Sequence, residues 1–131
     1  MAHVNHTAGR KVWAFAAGHI PLTSTGKEPV FTSHDKIAVL NAGTADASIR
    51  ITIYYENEYP VQDHEIGVSA QRVRKIRFND LINPLPIPLG TPYAFVLRSN
   101  VEVVVQFSRA DTGFRDAAGF CVTPFFQTDH E

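Results

Sequence analysis

Apolar residues in this chain recur at every second position, and that spacing limits the fold more than any other feature. Ile49, Ile51, Ile53 and Tyr55 share one face of an extended segment, while Arg50, Thr52 and Tyr54 take the other. Val101, Val103, Val105 and Phe107 alternate with Glu102, Val104, Gln106 and Ser108. Tyr93, Phe95 and Leu97 form a third stripe, and Ser99-Asn100 reads as a tight turn into the Val101 strand. Weaker strands are expected at 11–17, 30–32, 36–40, 65–68, 71–78 and 120–126. Asn41-Ala42-Gly43 with Asp46 marks a turn before the Ile49 strand. No window of roughly 11 or more residues carries a helical period. Eight or nine short strands with turn punctuation imply an all-β fold, an antiparallel β-sandwich or barrel. Residues 18–29 and 79–92 are rich in proline, which lacks a ladder donor, so neither is expected as a central strand.

At 131 residues, the chain is expected to form one domain, and that is large enough to need no disulfide or metal staple. Twelve Lys and Arg against thirteen Asp and Glu leave a net charge of -1, which argues against a dedicated nucleic-acid or membrane-surface binder. The single cysteine, Cys121, excludes a disulfide framework and a multi-cysteine zinc site. The start of the chain lacks the apolar core of a signal peptide, and no stretch approaches the roughly 18 apolar residues of a membrane span. A soluble cytoplasmic protein is expected, and the Asn5-His6-Thr7 sequon is read as chance.

Chemistry-bearing groups are few. Ser33-His34-Asp35 contains the residue types of a hydrolase triad, yet consecutive strand side chains point to opposite faces and cannot converge. No G-x-S-x-G elbow occurs, so no catalytic residues are assigned. The six histidines show no paired metal-ligand spacing, and neither a metal nor a cofactor is expected. His34 reads either as a ligand's hydrogen-bond partner at a strand edge or as a satisfied structural histidine. Arg72, Arg74, Lys75 and Arg77 crowd four cations into six positions. Alternation splits them across both faces of a strand, which favours a solvated edge or an intersubunit surface over a phosphate-binding patch. Trp13, with Phe15 on the same face, either stacks on a sugar ring or fills a core. Glu28, His34, Asn41, Asn79, Gln106 and Arg109 lie near expected loop ends, where they could offer directional hydrogen bonds to hydroxyls.

These residues recur in a recognisable order. Trp13-Ala14, Gly18-His19-Ile20-Pro21, Glu28-Pro29, Phe31 and Ser33-His34 begin it, followed by Leu40-Asn41-Ala42-Gly43 and Ile51-Thr52-Ile53-Tyr54-Tyr55. Arg77-Phe78-Asn79-Asp80-Leu81, Pro86-Ile87-Pro88, Ser99-Asn100-Val101, Val104-Val105-Gln106 and Arg109 continue it. In this order the chain resembles the sensory rhodopsin transducer family, in register from about Gly9 to Arg109. The resemblance implies a single jelly-roll-like β-sandwich domain, with its core at about 9–127, that assembles as a homotetramer. It implies a non-catalytic small-molecule domain for sugar-type ligands, bound by Trp13, Glu28, His34, Asn41, Asn79, Gln106 and Arg109. It also implies a membrane sensory rhodopsin or DNA as further partners, with Arg72, Arg74, Lys75 and Arg77 as the contact patch. Residues 115–131 depart from the transducer tails, in the segment where a rhodopsin or regulatory partner would be discriminated. Tyr54, Val96 and Val104 lie opposite the strong apolar stripes, so both sheet faces carry apolar area, as expected of a chain that associates.

Overall fold

The computed structural model describes residues 8–22, 33–112 and 118–127. Eight strands account for most of them: β1 (Arg10–His19), β2 (His34–Asn41), β3 (Ala47–Tyr54), β4 (Val61–Val68), β5 (Arg72–Arg77), β6 (Pro92–Asp111), β7 (Ala118–Val122) and β8 (Phe125–Gln127). One 3-10 turn at Phe78–Asp80 follows β5. The expected strand at 30–32 lies outside the described residues.

All pairings are antiparallel. One sheet runs β4-β3-β6-β1-β8 and the other runs β5-β2-β6-β7, so β6 is central in both. Its first half, residues 92–99, lies between β1 and β3, and its second half, residues 104–111, lies between β2 and β7. The expected turn at Ser99-Asn100 is therefore corrected: β6 is one strand of 20 residues. A hairpin there would pair the two halves with each other, but each half has separate partners in a separate sheet. The side-chain parity also never breaks, because Tyr93, Phe95, Leu97, Ser99, Val103, Val105 and Phe107 all face inward. Local polar groups ease the bend between sheets. Val101 N–H donates to Ser99 Oγ at 3.3 Å, and Ser48 N–H donates to Asn100 Oδ1 at 2.7 Å.

Two other expectations change. The 71–78 strand ends at Arg77, and Phe78 turns inward to begin the 3-10 turn. The 120–126 strand divides at Thr123-Pro124 into β7, which pairs with β6, and β8, which pairs with β1. Proline cannot donate to a ladder, so the chain changes sheets there.

The core lies between the two sheets. Ile49, Ile51 and Ile53 from β3 meet Ile37 and Val39 from β2 and the inward residues of β6, all but excluded from solvent. Phe78 packs against Tyr93, Phe95 and Phe107 with ring centroids 5.0–6.3 Å apart. Phe15 stacks on Phe107 at 4.1 Å. Such ring packing fixes relative positions more sharply than aliphatic contact alone. Gly18 sits beyond a register shift in β1, against the Tyr93 ring, and a β-carbon there would collide with it. A larger residue at this position would displace Tyr93 from the polar cluster that it completes.

Candidate functional sites at the two ends of the sandwich

Among the described residues, Asp35 gathers four hydrogen bonds on one carboxylate. It points inward from β2 and is fully buried. Its carboxylate accepts hydrogen bonds from His19 N–H (2.8 Å), the Tyr93 hydroxyl (2.8 Å) and the Arg109 guanidinium, through Nε at 2.7 Å and Nη2 at 3.2 Å. Arg109 Nη2 also donates to Ala17 O at 2.8 Å, and its guanidinium lies over the Phe107 and Phe120 rings at 5.7 and 5.1 Å. This network ties β1, β2, β6 and β7 together at one end of the sandwich. Burial, and then the Asp35 charge, push the Tyr93 hydroxyl far above the usual tyrosine range, so it stays protonated and donates. Next to the cluster, Ser33 Oγ accepts Thr112 N–H at 2.8 Å, and Asn79 Nδ2 donates to Ser33 O at 3.1 Å. Ser33, His34 and Asp35 do not converge: Ser33 Oγ meets Thr112, while His34 and Asp35 occupy alternate positions along β2.

The other sequence-derived candidates are dispersed. Trp13 is buried in the core beside Phe126, and its indole N–H donates to Arg10 O at 3.0 Å and Val103 O at 3.1 Å. Asn41 is buried at the opposite end from Asp35. It donates to Ala45 O and Val68 O and accepts Gly43 N–H, which shapes the β2–β3 turn. Gln106 is exposed in β6, opposite Ala38. His34 is half-buried opposite Ala110, the chain neighbour of Arg109, and it follows Asn79's partner Ser33 in the chain. Glu28 lies outside the described residues. Arg109, Asn79 and His34 are thus brought to one end, while Trp13, Asn41 and Gln106 are not.

A second polar region lies where β4 and β5, the edge strands of the two sheets, face each other. Arg74 Nη1 crosses between them to Gly67 O at 2.8 Å. Beside that bridge opens a cleft of about 370 Å³, lined by His64, Glu65 and Ile66 of β4, residues 74–77 of β5, Asp80 at the end of the 3-10 turn, and residues 81–83 beyond it. His64 is 1% exposed, and neither ring nitrogen has a hydrogen-bond partner. Arg77 Nε is likewise buried without a partner. Burial lowers the His64 pKa, and the Asn83 backbone offsets this in part without meeting hydrogen-bond geometry. The cleft uses Arg74, Lys75 and Arg77 from the basic cluster; Arg72 is exposed at the far end of β5. His64 was not among the sequence candidates. Its signal was parity: it shares the inward face of its strand with Val68, and an inward histidine needs partners.

Among the described residues, no three His, Cys, Asp or Glu side chains gather as a metal site. No helix among them is long and apolar enough to cross a membrane. The family described as Anabaena sensory rhodopsin transducer matches residues 8–126. The chain belongs to the Anabaena sensory rhodopsin transducer family. One solved relative, "Crystal Structure of Thermotoga maritima 1070", is 32% identical with a TM-score of 0.78, over 92% of this chain and 97% of that one. Another, "Anabaena sensory rhodopsin transducer", is 47% identical with a TM-score of 0.71, over 78% of this chain and 89% of that one. No curated protein matches. Both likenesses agree with the β-sandwich expected from the alternating stripes.

Replacing Asp35 with Ala leaves the Arg109 guanidinium and the Tyr93 hydroxyl without their acceptor, and about 3–5 kcal/mol of unfolding free energy should be lost. Urea melts of Asp35→Ala, Arg109→Met and the double variant should show that the double variant loses less than the sum of the singles. Additive losses would mean that the ion pair is not the coupled unit described here.

His64 sets a pH dependence. Its folded-state pKa lies below the ordinary 6.5, so the unfolded chain binds more protons as pH falls through and below that value. Its contribution is complete above about pH 6.5 and lost progressively below it. The denaturation midpoint of the wild type should therefore fall more steeply between about pH 7.5 and 5.5 than that of His64→Gln. Parallel pH profiles would show that His64 is not held neutral in the fold.

Proposed function

We propose that the chain is a non-catalytic small-molecule-binding and signalling adaptor domain, with its ligand of sugar type. It forms one domain, with a core at about 9–127, and acts in the cytoplasm. The observation that carries this reading is the β4–β5 cleft: a concave, polar site whose walls hold buried donors and acceptors that the protein itself leaves unpaired. Membership of the transducer family supports an adaptor role over an enzymatic one. In this reading Trp13 and Asn41 hold the frame, while His34, Asn79 and Arg109 form a second polar surface at the Asp35 end.

Association completes the proposal. Val73, Leu40 and Val104 stand side by side across β5, β2 and β6 on the outer face of the second sheet, and Tyr54 is exposed on the outer face of the first. A sandwich that stays monomeric presents mostly polar outer faces, and apolar rows of this kind are covered in closed assemblies. These rows support association, and the family resemblance supplies the number, so the domain is read as a homotetramer.

A second reading makes the chain the cytoplasmic transducer of a membrane sensory rhodopsin, with DNA as a further partner. Two observations favour it: the 47% identical neighbour bears the transducer title, and Arg72, Arg74 and Lys75 are exposed together on edge strand β5.

Three measurements separate these readings. A thermal-shift screen of sugars and sugar acids at millimolar concentration should raise the melting temperature with at least one ligand, because a ligand that binds only the folded chain stabilises it. A screen without any shift contradicts the small-molecule reading. Light scattering at micromolar concentration should give about four times the 14.5 kDa chain mass, and a monomer mass contradicts the assembly. Electrophoretic shift over a salt series decides the DNA reading: phosphate neutralisation by the β5 cations should weaken binding steeply as salt rises, and salt-insensitive or absent binding contradicts it.

A further inference from the structure

Among the described residues, three of the four buried side-chain atoms without a hydrogen-bond partner line the β4–β5 cleft, and the fourth is Asn79 Oδ1. His64 is 1% exposed with both nitrogens unpaired on the β4 side, and Arg77 Nε is buried and unpaired on the β5 side. Native interiors rarely leave such atoms unsatisfied, and a group that must stay unpaired in the free protein is a group that a ligand can pair.

The kinds of group present narrow the ligand. Arg74, Lys75 and Arg77 line the cleft as cations, with Arg74 already donating to Gly67 O through Nη1, and Asp80 and Glu65 line it as carboxylates, with Glu65 also 4.0 Å from Arg50 Nε. A neutral imidazole offers one donor and one acceptor, which matches a hydroxyl, itself both donor and acceptor. A neutral ligand would leave the buried Arg77 donor without an anionic partner. A phosphate dianion would set its second charge against Glu65 and Asp80. A single carboxylate satisfies the guanidinium groups in a planar, charge-assisted geometry, and hydroxyls beyond it satisfy the histidine and the two acidic side chains. The cleft volume of about 370 Å³ falls near the lower end of ligand sites, which suits a small acid rather than a nucleotide.

We infer that this cleft binds a small polyhydroxy monocarboxylate, with the carboxylate against Arg77 and Arg74 and the hydroxyls against His64, Glu65 and Asp80. The inference rests on the small-molecule reading above and names the site and chemical class within it.

Calorimetric titration of the full chain with gluconate, glucose and inorganic phosphate tests it, beside Arg77→Gln, Arg74→Gln and the control Arg98→Gln, which makes the same charge change on the outer face of β6. Gluconate should bind at least about tenfold more tightly than glucose or phosphate, since charge-assisted hydrogen bonds are roughly twice as strong as neutral ones. Arg77→Gln should weaken gluconate binding by about tenfold or more, and Arg98→Gln should leave it unchanged. If either cleft variant folds poorly, nitrogen-15 spectra of wild-type His64 provide the second reading, because both ring resonances should move as gluconate is added.

Gluconate binding that moves neither His64 nitrogen and resists both cleft variants would overturn the inference while leaving the small-molecule reading intact. Equal binding of glucose, or preferential binding of phosphate, would overturn the carboxylate assignment. No binding of gluconate would overturn the inference alone, and the small-molecule reading would fall only if the wider thermal screen were also blank.

Discussion

A single strand belongs to both sheets, and the rest of the structure depends on that. β6 runs unbroken from Pro92 to Asp111, pairs with β1 and β3 through its first half, and pairs with β2 and β7 through its second. Two sheets that meet only through side chains can slide or separate. Two sheets that share a backbone cannot, since any relative movement must break the ladder hydrogen bonds of the shared strand. The inward parity of β6 survives the passage between sheets, so the same strand also supplies Phe95, Leu97, Val103, Val105 and Phe107 to the common core.

That shared strand also explains why the two polar regions differ. At one end, β1 and β2 both pack on β6, and β7 joins its C-terminal half. Asp35, Tyr93 and Arg109 therefore meet in a place where each of the three finds a partner in the others. At the far edges, β4 and β5 each pair on one side only, with β3 and β2 respectively. Among the described residues, the Arg74 to Gly67 bond crosses the gap, and residues 80–83 line it. Polar groups held there by a rigid frame cannot move to satisfy one another. The closed network is suited to holding structure, and the open cleft is suited to receiving a ligand.

Much of this was legible in the residues. Alternation at 49–53 and 103–107 places the buried faces correctly, because a strand with one wet face must alternate. The same rule separates His34 from Asp35, and the triad composition of Ser33-His34-Asp35 loses its meaning. Ser99-Asn100 misleads for a physical reason: its polar side chains do bond locally, as in a turn, but the path of the chain is set by distant partners in β1, β2 and β3. The partners of Asp35 were illegible, since Tyr93 and Arg109 lie 58 and 74 residues away and only the strand register brings them together. His64 has no spacing motif around it. Its unpaired nitrogens follow from burial at an open edge, which local sequence does not encode.

Native-state hydrogen exchange tests most directly whether β6 joins the two sheets into one cooperative unit. Amides at the first-half positions 95 and 97 and at the second-half positions 105 and 107 should open with the same, highest free energy in the molecule, equal to that of global unfolding. Earlier opening of positions 105 and 107 together with β2 and β5, while 95 and 97 stay protected, would mean that the sheets separate independently and would contradict the account.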